Sequence, residues 1–268
     1  MMTKQPNVLD LSSYLSNEWL QLYKDYLPTA REWWLRNTTT KSKFGVDQST
    51  ARSYSTGQRG PINGPVAVFN EWAQYQMQAL DRDPEWRQTL NTREGFERAH
   101  AGFAASLADH WRQRVSQVSA TLQNSERLSR KRQRVTLELA TSQKYKFVDL
   151  FVRHLWIERS DRTLDAESNF AHARSPLDRK SLHVLSATFS GILMAPKFSM
   201  GMVDSEAKYS YCQALVDLVC RVEGGTPLLF DVFAWHHPSA KSLYGPSDKK
   251  KRHVSAVRLG NARAHVGT

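Results

Sequence analysis

Apolar residues recur at three- and four-residue spacing through most of this 268-residue chain, and no stretch of useful length alternates with period two. That pattern predicts an all-α protein: a body of several helices with a long polar loop near the start and a basic tail at the end. Leu15, Trp19, Leu20, Leu22, Tyr23, Tyr26, Trp33 and Trp34 mark one or two helices between Ser12 and Arg36, interrupted at Pro28. From Asn37 to Pro65 the chain turns to Thr, Ser, Gly, Gln and Arg, which predicts a loop. Val68, Phe69, Trp72 and Met77, then Trp86 and Leu90, then Phe96, Phe103, Leu107 and Trp111 carry a helical pattern from Val66 to about Gln123. Pro84 suits a first helical turn, with Asp81 or Asp83 as its cap.

The next apolar stretch is continuous, not one-sided. Phe147, Val148, Leu150, Phe151, Val152, Leu155 and Trp156 follow Gln143-Lys144-Tyr145-Lys146, which predicts a central buried helix with lysines at its mouth. Ser175-Pro176-Leu177-Asp178 then precedes Leu182, Val184 and Leu185. Pro176 biases the residue before it away from α, so Asp178 stands where an N-cap belongs. A strongly amphipathic helix is expected from Ser205 to Val222, stopped by Gly224-Gly225. Thr226 to Trp235 reads as a last buried helix, with Asp231 and Trp235 four positions apart on one face. These segments divide the chain into an N-terminal part (1–65), a helical core (66–243) and a basic tail (244–268).

Charge narrows the partners. Lys and Arg number 37 against 26 Asp and Glu, a formal net charge of +11, which favours a polyanion. The densest internal cluster, Arg130, Lys131, Arg132 and Arg134, is the expected phosphate-contacting surface together with Lys146. No apolar run approaches the roughly 20 residues of a membrane-spanning helix, and no signal-peptide core opens the chain. The expectation is a soluble, cytoplasmic, monomeric protein. Cys212 and Cys220 are the only cysteines, too few for a thiolate zinc site and too far apart along one helix to bridge. Neither a metal nor another cofactor is expected.

The charged and aromatic residues suggest a chemistry. An amine such as Lys144 attacks electrophilic carbonyl or sugar carbons, and a carboxylate such as Asp178 stabilises a developing cation or moves a proton. Asp231 offers an acceptor and Trp235 a stacking plane to a flat heterocycle. On a basic helical body that set suits excision of a base flipped out of DNA. Two other readings use the same residues differently: a non-catalytic nucleic-acid-binding module, and a ribonuclease built on Arg153 and His154.

Gln143-Lys144, Pro176-Leu177-Asp178-Arg179 and the run Thr226 to Trp235 resemble, in order and spacing, the archaeal 8-oxoguanine DNA glycosylase branch of the helix-hairpin-helix glycosylases. The resemblance spans roughly Thr141 to His236. It implies Lys144 as the nucleophile, Asp178 as the catalytic carboxylate, and Asp231 and Trp235 as the base pocket; Lys146, two positions on, is the alternative nucleophile that the residues themselves offer. It also implies an aromatic second wall, for which Trp72 and Trp86 are the counterparts. No glycine-rich hairpin precedes Lys144, unlike the wider superfamily. The expected partner is double-stranded DNA carrying 8-oxoguanine or a similar damaged base, or a modified cytosine of foreign DNA, with base release and an accompanying AP-lyase step.

Overall fold

Helical periodicity becomes helix throughout the described residues of a computed structural model, which are 11–36, 44–46, 50, 64–83, 85–123, 138–159, 171–193 and 198–243. They contain nine α-helices and no strand: α1 (Asn17–Arg36), α2 (Gly64–Arg82), α3 (Trp86–Asn91), α4 (Arg93–Gln123), α5 (Thr141–Arg159), α6 (Arg179–Thr188), α7 (Glu206–Glu223), α8 (Pro227–His236) and α9 (Pro238–Ser242). The chain is thus all-α, as its periodicity predicts. Among these residues no helix is long and apolar enough to cross a membrane.

Two apolar centres share the work of burial. Helices α2 to α5 enclose Phe69, Trp72, Phe103, Trp111, Phe147 and Phe151 in the first. Helices α1 and α6 to α9 enclose Tyr23, Leu185, Phe189, Leu215, Phe230 and Phe233 in the second. Trp34 and Tyr145 touch both. Phe147, Phe151 and Leu155 of α5 are fully buried, and every residue of α8 from Pro227 to Ala234 is buried. These two helices therefore form the inner framework on which charged side chains can be held rigidly.

Two expectations are corrected. Helix α1 runs unbroken through Pro28: the ring removes one N–H, but Leu20, Tyr23, Leu27 and Ala30 are buried against the second centre, and that packing outweighs the lost bond. The same packing joins residues 17–36 to the second centre, as the apolar spacing of this segment suggests. The cap expected from Asp81 or Asp83 is also not formed: Glu85 stands at the N-cap of α3 with no side-chain cap bond, and Asp83 Oδ1 instead accepts from the Glu85 N–H at 3.0 Å in the turn before the helix.

Gly45 and Gly225 are required by close approach. Gly45 has φ +83°, and a Cβ there would lie 2.3 Å from the Leu150 carbonyl oxygen, so this short segment rests directly on α5. Gly225, just beyond α7, would meet the Tyr23 hydroxyl at 2.1 Å. Cys212 and Cys220 on α7 are buried and free, and burial pushes the Cys212 thiol up to about 11.

Candidate functional site

Asp178 is built as the sequence predicts. It is the N-cap of α6, with extended backbone (φ −139°, ψ −174°) and a capping box with Ser181. Its Oδ1 accepts from the backbone N–H groups of Lys180 at 2.7 Å and Ser181 at 3.1 Å. Ser181 Oγ closes the box by accepting from the Asp178 N–H at 2.7 Å. One carboxylate oxygen is thereby committed to the helix start, where the macrodipole also favours negative charge. The other, Oδ2, faces Lys146 Nζ at 3.5 Å. Lys146 and Asp178 are 7% and 6% exposed, so the pair sits out of water.

A second pair adjoins the first. Asp231, on the middle turn of α8, accepts from Arg153 Nη1 at 2.8 Å. Arg153 also donates from Nη2 to the Gly45 carbonyl at 3.5 Å, so the segment at Phe44–Val46 helps to aim it. Lys146 and Arg153 are seven positions apart and lie on one stripe of α5, about 20° apart in helical rotation. Burial pushes the Asp231 carboxyl up to about 6, with Arg153 pulling it down, the negative charge of Asp178 pushing it up further and Lys146 opposing. Those mutual influences make the four residues one electrostatic cluster. Asp231 Oδ1 is buried with no hydrogen-bond partner among the described residues, so it is an acceptor to which those residues offer no donor.

Toward the surface, one turn beyond Asp231, stands Trp235. The Lys180 ammonium lies 3.2 Å from its ring centroid, a cation–π contact. A flat ring stacking on that face has to displace Lys180. Beside it, His236 packs on Trp33 with ring centroids 4.6 Å apart.

Lys144 lies elsewhere. Its Nζ donates to Glu206 Oε1 at 2.8 Å and hovers 4.7 Å over the Tyr145 ring. Hydrogen bonds from Lys144 and Tyr145 hold the Glu206 carboxyl below the usual range. Trp72 and Trp86, expected to wall a base pocket, are buried in the first apolar centre at 1% and 9% exposure. Trp72 Nε1 donates to Ser106 Oγ at 3.1 Å and its ring meets Phe103 and Phe151 edge-on, so these indoles are core side chains rather than surfaces open to a base. Arg130, Lys131, Arg132 and Arg134, and the tail from 244, lie outside the described residues.

Two features escaped the sequence reading. Arg153 was legible as a partner of the pocket only through its seven-residue spacing from Lys146 on a buried helix. His100, Asp149 and Tyr209 form a second polar cluster, with Asp149 Oδ1 accepting from Tyr209 Oη and from His100 Nε2, each at 2.8 Å. Burial pushes the Asp149 carboxyl up, against those two hydrogen bonds. A separate cleft of about 280 Å³ opens at the N-terminal end of α8 between Arg93, Glu97, Arg174, Asp217 and Arg221. Two of its three arginines are matched by acids: Arg93 meets Glu97 at 3.1 Å, and Arg174 meets Asp217 at 3.5 Å.

Among the described residues no group of three or more His, Cys, Asp or Glu side chains is gathered to hold a metal ion. What the Lys146–Asp178–Asp231–Arg153 cluster can do is bind a polar group at Asp231, oppose positive charge developing beside Asp178, and offer an amine. Comparison of the chain with known protein families, curated proteins and solved structures finds no match.

Proposed function

We propose that this protein is a DNA glycosylase that takes a flipped, modified base between Trp235 and Asp231 and breaks its N-glycosidic bond beside Asp178. The observation that carries the reading is the buried cluster itself: a carboxylate fixed at a helix start, a second carboxylate with an unpartnered oxygen, and a lysine between α5 and α6. As the C1′–N bond lengthens, its electron pair goes to the base and positive charge grows on the sugar. Asp178 Oδ2 opposes that charge at low local dielectric, where it is most effective. Asp231 Oδ1 accepts an N–H of the base, and the indole of Trp235 stacks on its plane once Lys180 has moved. The net charge of +11 supplies attraction to the DNA backbone.

The substrates this set suits are duplexes carrying 8-oxoguanine or a similarly altered purine, or a modified cytosine. The test is incubation of the purified protein with a panel of such duplexes, followed by alkali. Strand breaks at one modified position, lost in Asp178→Asn and Asp231→Asn proteins that still melt cooperatively, are expected. Salt-sensitive binding to every duplex with no alkali-labile site in any would replace this reading with that of a non-catalytic binding module.

A further inference from the structure

We propose that Lys146, and not Lys144, is the amine that bonds to the sugar. The inference rests on the glycosylase reading and assigns its covalent step.

Residues two apart on an α-helix leave it about 200° apart, so Lys144 and Lys146 cannot serve one carboxylate. Each has its own. Lys144 is drawn to α7, where it donates to Glu206 at 2.8 Å, and the Glu206 side chain is 67% exposed. Lys146 points between α6 and α8, with its side chain only 8% exposed and its nitrogen 3.5 Å from Asp178 Oδ2. A charge-assisted bond between lysine and carboxylate closes to about 2.7–2.9 Å when tight. The Lys146 pair is therefore loose, whereas the Lys144 pair is closed. Lys146 also lies near enough to Asp231 to influence its charge, so an amine there shares a site with the residue that would hold the base.

The step balances within this cluster. The Lys146 ammonium gives a proton to Asp178 Oδ2, which hands it on to the departing base and is a carboxylate again as positive charge grows on the sugar, and the amine lone pair forms a bond to C1′. The C1′–N bond to the base breaks with its electrons passing to the base, which takes the proton from Asp178. The linking nitrogen then gives one proton to O4′ as the C1′–O4′ bond breaks, leaving a protonated imine between Lys146 and an open sugar. That imine is reducible by borohydride to a stable amine. Lys144, on the other side of α5, has the position of a residue that ties the start of α5 to α7.

The experiment is borohydride trapping on the modified duplex that the wild type processes, with Lys144→Gln, Lys146→Gln and Lys146→Arg proteins, each checked by thermal melting. Lys146→Arg keeps a cation beside Asp178 but cannot form the imine, so it separates chemistry from folding. Trapping within about threefold of wild type in Lys144→Gln, and a loss of about a hundredfold or more in Lys146→Arg, is the expected result. Loss in Lys144→Gln with retention in Lys146→Arg would overturn the assignment and leave the glycosylase reading intact. Base release by the wild type with no trapped complex would also overturn it, making water the nucleophile. A wild type that releases no base from any duplex overturns both readings together.

Discussion

Helix α5 has a buried carboxylate on each of two neighbouring sides, Asp149 among its own residues and Asp231 facing it from α8, and their surroundings differ in kind. Asp149 is sealed. Its Oδ1 is satisfied by Tyr209 and His100, and the rings of His100, Tyr145 and Tyr209 lie nearly parallel over it, Tyr145 and Tyr209 with centroids 4.0 Å apart. Asp231 is held instead by charge: Arg153 at 2.8 Å, with Lys146 and Asp178 beside it. One turn along, Trp235 leads outward. Burial alone does not make a reactive site, since both carboxylates are buried and both are pushed up by it. The difference is that one cluster is closed by rings, whereas the other joins a tight pair, Arg153 and Asp231 at 2.8 Å, to a loose one, Lys146 and Asp178 at 3.5 Å, beside the displaceable Lys180 ammonium.

Substitutions can break this comparison. The largest effect is expected at Asp178, where Asn should lower the rate of base release by about a thousandfold or more in single-turnover assays, removing the charge aimed at the sugar. The same change keeps a capping acceptor and should cost about 0.3–1 kcal/mol in a urea titration through the charge lost at the helix start. Asp149→Asn should do the reverse. It strands His100 and Tyr209 around a poorer acceptor, with an expected stability loss of about 3 kcal/mol, while folded protein keeps base release within about tenfold. Equal catalytic loss in both variants would erase the distinction.

Asp231 gives the comparison a pH signature. Its carboxyl is raised from the ordinary 3.8 to about 6, so between those values the folded state holds a proton that the unfolded chain has released. Stability should fall as pH rises from about 4 to about 6, by about 3 kcal/mol for a shift of this size, and then level off. Asp231→Asn should flatten that slope in denaturant titrations run at each pH. Base release that needs the ionised acceptor should rise through about pH 6 over the same interval.

A smaller effect is expected at Gly45. Its φ of +83° and the 2.3 Å approach to the Leu150 carbonyl predict that Gly45→Ala costs about 1–3 kcal/mol and loosens the carbonyl that Arg153 donates to. Melting temperature and base release should fall together, because the backbone strain acts on the arm that aims Asp231. Smallest is Lys180→Gln. Removing the ammonium from the Trp235 face forfeits a contact of about 0.5–1 kcal/mol, and binding of a modified-base duplex should tighten slightly, as read by Trp fluorescence.

Much of this arrangement was legible in the chain. Pro176 followed by Asp178 before an apolar run announces a capped helix, the continuous apolar stretch after Lys146 announces a buried one, and Asp231 and Trp235 share a face by their four-residue spacing alone. Local geometry fixes each of these. The partners were not legible, because Lys144 meets Glu206 across 62 positions, Lys146 meets Asp178 across 32 and Arg153 meets Asp231 across 78. Lysines two positions apart diverge around a helix, and only tertiary packing decides which faces which acid. Trp72 and Trp86 illustrate the same gap: an indole suits a pocket wall and a core equally well until its neighbours are known.

The most direct measurement is mass spectrometry of the low-molecular-weight fraction after the protein has been incubated with the modified-base duplexes. The account predicts one free modified base, accumulating with the wild type and the Asp149→Asn protein and absent with Asp178→Asn. Duplex bound in a salt-dependent manner with no free base from any of them would contradict it.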